Sequence, residues 1–388
     1  MRHAGPWLLA GALIAACVFS VRLRLEGTAE FADPGWDRHY YLEAARVGPW
    51  DFHIAPYCWR VLVPTAAWLA PPPEQVTFFA IAAAGAVIFG ATLWLLLREA
   101  GLSAAQTAAG VLLAFGLGWG LRYQLADFWL PDAAAGACIV LAMRFAHRGR
   151  AVLFALTLLA GALLKEVTLA AAPLALTLWP GQAPLCERLL RAGAAVAPAA
   201  AATVAVRLAI PAWNDDAAYL ASLPPVISRF PEVVANYDYA VLLREIGWEE
   251  RIRGFDGDLA QALTVRSFGS VLLVLATAGA LARPGRAARL APFVLLVFAQ
   301  LLIARDTERL MAFASPAMAW LAAEGAAALE GRGWLMGGEA LLLAAGAFAL
   351  ALVRGPSDFA TDPAAEFWLL GAVAAALAAR RLAVSLRG

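Results

Sequence analysis

Lysine is almost missing from this sequence. Among 30 lysines and arginines in 388 residues, Lys165 is the one lysine, so arginine carries the basic charge everywhere else. Charge of either sign is scarce: Asp, Glu, Lys and Arg make up 15% of the chain against 62% hydrophobic residues. A soluble domain is nearer a quarter charged and half apolar. That shortage excludes an ordinary soluble globular protein and leaves an all-α polytopic membrane protein, with 1–388 as a single membrane domain. A net charge of +1 leaves no electrostatic footprint for nucleic acid. The four cysteines, Cys17, Cys58, Cys138 and Cys186, are scattered without a C-x-x-C pair, so neither a disulfide framework nor redox work is expected. No H-E-x-x-H and no His pair at i, i+4 occurs, and no metal site is assigned. An internal repeat of the kind many transporters carry is also missing.

Long apolar runs are abundant. A spanning helix needs about 20 mostly apolar residues, down to roughly 17. Candidate helices are 7–24, 76–97, 105–121, 133–147, 151–164, 167–180, 189–210, 267–282, 290–304, 310–323, 334–353 and 365–381, which makes about twelve transmembrane helices. The pair flanking Lys165 reads equally as one long helix. The apolar run from Trp7 to Val21 ends in Arg22 and Arg24 without a small-residue cleavage site, so it is expected to stay as the first helix.

Sidedness follows from arginine. The short loops His147–Arg150, Glu187–Arg191, Arg283–Arg289 and Arg380–Arg387 are basic and are placed in the cytoplasm by the positive-inside rule. An even helix number then puts both termini there, in a multi-pass cell membrane, the bacterial inner membrane. Every aspartate falls on the opposite face, which marks the outer side as the one that does chemistry. Two outer segments, 25–75 and 211–266, are too long for simple turns. Both contain short amphipathic pieces, such as Tyr40–Val47 and Tyr239–Arg253, that suit helices lying at the membrane surface. Ordinary capping structure is the other reading of these pieces.

Charged residues collect in four outer connections. FADPGWDRHYYLEAARV places Asp33, Asp37 and His39 just beyond the first helix, and YCWRVLVP adds Tyr57 and Arg60. A carboxylate here can take a proton from a hydroxyl, and a guanidinium can hold a phosphate bidentately. Solvated surface ion pairs are the plainer alternative. RYQLADFWLPDAAAG carries Asp127 and Asp132; Asp132, after Pro131, also fits a helix N-cap. LLKEVTLAAAP carries Lys165 and Glu166. A charge at membrane depth costs roughly 2.5–3.5 kcal/mol, so it faces a partner or a cavity. A mutual Lys165–Glu166 pair is one solution, but helical neighbours point about 100° apart, which favours separate partners. RDTERLMAFASP adds Arg305 and Arg309.

The order of these motifs resembles GT-C superfamily glycosyltransferases, in particular protein O-mannosyltransferases and lipid A aminoarabinose transferases. Those families carry Asp-Glu-x-x-Tyr-x-x-x-Ala in the first outer loop, and DRHYYLEAA keeps Asp37, Tyr41 and Ala45 at that spacing. Tyr57 and Arg60 match the following tyrosine and basic residue. Asp132 matches an aspartate opening the fourth helix, LLKE matches a Leu-x-Lys-Gly-like segment, and RLMAFASP matches a late basic residue before a proline-containing helix. The resemblance covers roughly 10–325. Arg38 replaces the families' glutamate, Arg60 their lysine, and Glu166 their glycine.

The resemblance implies a GT-C-like fold with amphipathic interfacial helices in the first loop. It also implies inverting transfer of a sugar from a polyprenyl-phosphate donor to a glycan, lipid or protein acceptor at the extracytoplasmic face. Asp37 would be the general base, with Asp132, Asp33 and Asp127 assisting. Arg60, Lys165 with Glu166, and Arg305 or Arg309 would hold the lipid phosphate, supported by Tyr41, Tyr57 and His39. Some relatives use a divalent cation, Mg or Mn, for which Asp33, Asp37 and Asp132 offer oxygen ligands. Asn214, Asp215, Asp216 and Tyr237 in the second long loop would help cover the acceptor site. The competing classes are a lipid-linked-glycan polymerase or ligase, a transporter, and a non-catalytic GT-C relative.

Overall fold

The computed structural model describes residues 5–20, 37–70, 73–181, 184–228, 257–300, 307–336, 338–354 and 363–385. All regular structure among them is helical. The elements are α1 (Gly5–Ser20), α2 (Arg38–Val47), α3 (Leu62–Leu69), α4 (Glu74–Glu99), α5 (Ala104–Phe115), α6 (Tyr123–Ala126), α7 (Asp132–His147), α8 (Ala151–Leu164), α9 (Leu174–Thr177) and α10 (Leu185–Ala209). After these come α11 (Ala217–Ser222), α12 (Pro225–Ser228), α13 (Gly257–Gln261), α14 (Ser270–Ala282), α15 (Pro284–Ala299), α16 (Thr307–Met311), α17 (Ser315–Gly331), α18 (Glu339–Leu352) and α19 (Pro363–Ser385). A 3-10 turn, Tyr57–Trp59, precedes α3, and a 3-10 stretch, Glu166–Ala171, follows α8.

Fewer of these helices reach spanning length than hydropathy suggests. α4 and α10 are long and apolar enough to cross a membrane, and two bent pairs raise the number to at most four. Bending accounts for part of the difference. The expected helix 105–121 stops at Phe115 and turns by 56° into the segment Gly118–Ala126, with Gly120 outside helical geometry. The expected helix 267–282 is preceded by Gly257–Arg266 across an 81° bend, where Gly269 takes a φ of 70°. Shortness accounts for the rest. The 14 residues of α8 rise only about 21 Å.

The chain also breaks at Lys165, which is extended (φ −163°, ψ 132°) between α8 and the 3-10 stretch. The two flanking segments are therefore separate elements rather than one helix.

Glycine sets the tightest crossings. A Cβ on Gly279 would overlap the Leu321 carbonyl oxygen, and one on Gly325 the Leu275 carbonyl oxygen, so α14 and α17 cross backbone to backbone. A Cβ on Gly85 would come within 2.7 Å of the backbone at Ala133 and Ala134. That contact seats the start of α7, and with it Asp132, against α4. Gly161 does the same for Thr168 at 2.8 Å, folding the 3-10 stretch back on α8 with Lys165 at the corner between them.

Polar groups separate to opposite ends of the helices. At the ends of α4 and α7, Arg144 and Arg148 donate to Glu99 at 2.7–2.9 Å. The start of α7 and the end of α8 carry the acidic and basic residues described next. A smaller aromatic core of Tyr40, Tyr41, Phe52, Tyr57, Phe78, Tyr123 and Phe128 lies under them, apart from the main core of the bundle.

Candidate active site

Side chains from five separate segments meet in one chain of charges. Asp37 stands at the start of α2, where its side chain makes no capping bond. One carboxylate oxygen accepts the Tyr57 hydroxyl at 2.7 Å. The other accepts both terminal nitrogens of Arg309, at 3.2 and 3.1 Å. The Arg309 Nε reaches past it to Asp132 Oδ2 at 2.8 Å, and Asp132 Oδ1 accepts Lys165 Nζ at 2.6 Å. One guanidinium therefore joins two carboxylates, and one carboxylate joins two cations.

Asp132 is the first residue of α7, with Pro131 before it in the capping position. Its carboxylate bonds to Lys165 and Arg309 rather than closing the helix end. Beside this chain, Arg60 Nε donates to Glu166 Oε2 at 3.0 Å and its NH1 to the Tyr41 hydroxyl at 2.8 Å. Lys165 and Glu166 thus have separate partners, because the extended residue at 165 points the two side chains apart.

Aromatic faces complete the enclosure. Tyr40 stacks on Tyr57 with ring centres 4.2 Å apart, and Tyr41 meets Tyr57 edge-on at 5.4 Å. Lys165 Nζ lies over the Phe313 ring, and the Arg309 guanidinium over Tyr123. Cations held against ring faces in a desolvated setting gain electrostatic stabilisation and lose mobility. Exposure is graded: the Asp132 side chain is 1% exposed, Lys165 6%, Arg309 9%, Arg60 12%, Glu166 21% and Asp37 26%. Asp37 is thus the most open carboxylate and Asp132 the anchor.

Burial works against ionisation of Asp37, but the Arg309 guanidinium and the Tyr57 hydroxyl outweigh it and hold the carboxyl below its ordinary value. Asp127 behaves in the opposite way. It lies in the connection before α7, 1% exposed, and takes the Tyr123 hydroxyl at 3.1 Å on one oxygen. The other oxygen has no hydrogen-bond partner among the described residues. Burial pushes the Asp127 carboxyl up to about 7. The buried Arg38, standing where the resembled families have glutamate, acts on it electrostatically.

Of the residues expected from the sequence, Asp37, Tyr41, Tyr57, Arg60, Asp132, Lys165, Glu166 and Arg309 form this constellation, with Asp127 one tyrosine away. His39 follows on the first turn of α2, away from the hydrogen bonds given above. Asp33, Arg305 and Tyr237 lie outside the described residues, as does the amphipathic piece 239–253. Asn214 instead clamps the Ala55 backbone, accepting its N–H at 2.8 Å and donating to its carbonyl at 3.0 Å. Asp216 caps α11, and Asp215 is exposed. Tyr123 and Phe313 were not singled out from sequence; the i, i+4 spacing of Tyr123 and Asp127 is the one signal that could have found either of them.

Of the oxygen ligands expected for a divalent cation, Asp33 lies outside the described residues. Asp37 and Asp132 already face guanidinium and ammonium groups, and no three His, Cys, Asp or Glu side chains converge among the described residues.

No protein-family model matches the chain, and no curated protein is significantly similar to it.

Proposed function

We propose that this protein is a polytopic membrane glycosyltransferase of GT-C type, with about twelve membrane-embedded helices. In this reading it transfers a sugar from a polyprenyl-phosphate donor to an extracytoplasmic acceptor with inversion at the anomeric carbon. The single observation that carries the reading is Arg309 bridging Asp37 and Asp132 beside Lys165 and Arg60. This sets a partly open carboxylate against a fixed set of cations.

In the reaction, an acceptor hydroxyl attacks the anomeric carbon as the bond from that carbon to the phosphate oxygen breaks. The hydroxyl proton passes to Asp37, and the electron pair of the broken bond stays on the departing lipid phosphate. Cations already in place where that charge grows favour the transition state over the ground state. A unit pair ~4 Å apart is worth about 4 kcal/mol at an effective dielectric near 20.

The two edges of Arg309 couple binding to base activation. Its Nε stays anchored on Asp132, while the edge now on Asp37 turns to the phosphate. Losing that edge relieves Asp37 of the interaction that depresses its basicity. Asp132, buried between Arg309 and Lys165, is a positioning residue here.

The test is sugar transfer by the purified full chain from a panel of radiolabelled polyprenyl-phosphate sugars, with Asp37→Asn beside wild type. Turnover by wild type and its loss in the variant is the expected outcome. Transfer surviving in Asp37→Asn would remove Asp37 as the base, and silence across the panel from a folded wild type would count against the transferase itself.

A further inference from the structure

The stretch from Gly48 to Val61 carries two site residues, Tyr57 and Arg60, yet its regular structure is limited to the 3-10 turn Tyr57–Trp59. An irregular stretch keeps one geometry where outside groups take up its backbone donors and acceptors. Here they come from the segment that follows α10. The Asn214 carboxamide, 159 residues away from Ala55, accepts the Ala55 N–H at 2.8 Å and donates to the Ala55 carbonyl at 3.0 Å. It thus repeats the paired bonds of a β-ladder, and that pairing assigns which amide atom is oxygen and which nitrogen. Asn214 is 8% exposed, so water has little access as a substitute partner.

The same segment grips the chain on both sides of Ala55. The Tyr219 hydroxyl accepts the His53 N–H at 2.9 Å, and the Trp213 N–H donates to the His53 carbonyl at 2.9 Å. The His53 ring places Nδ1 3.0 Å from the Pro211 carbonyl oxygen and stacks on Trp213 with ring centres 3.6 Å apart. Further on, the Trp59 indole donates to the Ile210 carbonyl at 3.0 Å, and Arg207, in the last turn of α10, lies 4.7 Å over its ring. Tyr57 is therefore bracketed by held residues at 55 and 59, and Arg60 follows directly. What the bracket holds is the site itself: the Tyr57 hydroxyl reaches Asp37, and Arg60 spans Glu166 and Tyr41.

We infer that Asn214 is a positioning residue of the active site. It acts through the turn 55–59 to set the Tyr57 hydroxyl against Asp37 and the Arg60 guanidinium against Glu166. A carboxamide offers a donor and an acceptor side by side, and an aspartate of the same length does so only when protonated. Asn214 thereby supports the site from a segment expected to cover the acceptor. The positioning holds whatever the site transfers; its effect on turnover rests on the transferase reading.

The reporter is Cys58, which lies inside the turn and is 3% exposed. In the full chain with Cys17, Cys138 and Cys186 changed to alanine, its reaction with 4,4′-dithiodipyridine is followed in detergent well below the melting temperature. Asn214→Ala is expected to speed labelling about tenfold by freeing the turn. Ser222→Ala, which loses a bond within α11 to the Tyr219 carbonyl, is the control and should label as wild type does. Asn214→Asp should match Asn214→Ala at pH 8 and approach wild type as pH falls to 4, each rate taken relative to wild type at the same pH. That return follows from the protonated carboxyl regaining its donor, and space-filling alone does not produce it. Coupling to the site is read in a double-mutant cycle: Tyr57→Phe should lower the melting temperature, and do so less when Asn214 is already alanine. Wild-type labelling in Asn214→Ala, no acid recovery in Asn214→Asp, or additive melting shifts would each overturn the proposal. Should Asn214→Ala fail to fold, Tyr219→Phe releases the His53 N–H and is expected to speed labelling severalfold; an unchanged rate there would overturn it equally. In sugar transfer, Asn214→Ala should lower kcat about tenfold with the acceptor KM unchanged. Silence of the wild type with the labelling pattern intact would remove the transferase reading and keep the positioning role. Transfer with an unaltered kcat in Asn214→Ala would do the reverse.

Discussion

At the scale of single residues, the buried pair of Lys165 and Asp132 makes the sharpest demand. Removing one member of a buried pair leaves the other uncompensated, at a cost of about 3–5 kcal/mol. Asp132 keeps Arg309 when Lys165 is lost, so Lys165→Ala is expected near the lower end of that range, read as a lower melting temperature in detergent. Donor binding and turnover should fall with it. A well-folded Lys165→Ala with both intact would take Lys165 out of the site. Asp127 makes a prediction in pH. Its folded value lies above its unfolded one, so the folded state holds the proton more tightly, and stability falls as pH rises from 3.8 to about 7. Asp127→Asn keeps the Tyr123 bond but cannot ionise. It should lack that decline and melt above wild type at pH 8; identical pH profiles would mean that Asp127 is solvated.

Elements add a constraint of a different kind, because helix crossings here depend on the absence of a side chain. Gly279 faces the Leu321 carbonyl and Gly325 the Leu275 carbonyl, with no room for a methyl group at either. Gly279→Ala must push α14 and α17 apart along their whole contact, and overpacking of this sort typically costs about 1–3 kcal/mol. Gly193, with nothing within 4 Å, is the matched control, and alanine there should be neutral or slightly stabilising, by about 0.5–1 kcal/mol. Thermal unfolding of the two variants side by side decides the point. The glycine positions were visible in the sequence, but their importance was not: Gly279 and Gly193 both sit among alanines along the chain, and only the neighbouring helix shows which of them is packed.

For the whole molecule, the question is how many helices cross the membrane and which way. The sequence predicts basic loops inside and every aspartate outside, and among the described residues Asp132 lies at the opposite end of α7 from Arg144. Single cysteines introduced at Arg150 and Arg286 into a background lacking Cys17, Cys58, Cys138 and Cys186 are expected to resist an impermeant maleimide in intact cells. One at Asp215 is expected to react. Labelling of Arg150 with protection of Asp215 would invert the topology and move the active site to the cytoplasm.

What the sequence determined by itself is the helical, apolar class and the residues too costly to embed without purpose. Those follow from composition and local order, since solvation free energies act residue by residue. Lys165 was legible because it interrupts an apolar run, and Asp37, Asp132 and Arg309 because they collect in the few charged connections between such runs. The tertiary structure alone decided which of them pair. Asp132 meets Arg309 across 177 residues and Arg60 meets Glu166 across 106, separations over which no local pattern carries register. It also decided that the chain is extended at Lys165 and bent after Phe115. A helix continues or breaks there according to what its neighbours bury, and apolar periodicity reads the same in both cases. Arg207 belongs to the same group: in sequence it is one more arginine near a helix end, and only folding places it over the Trp59 ring.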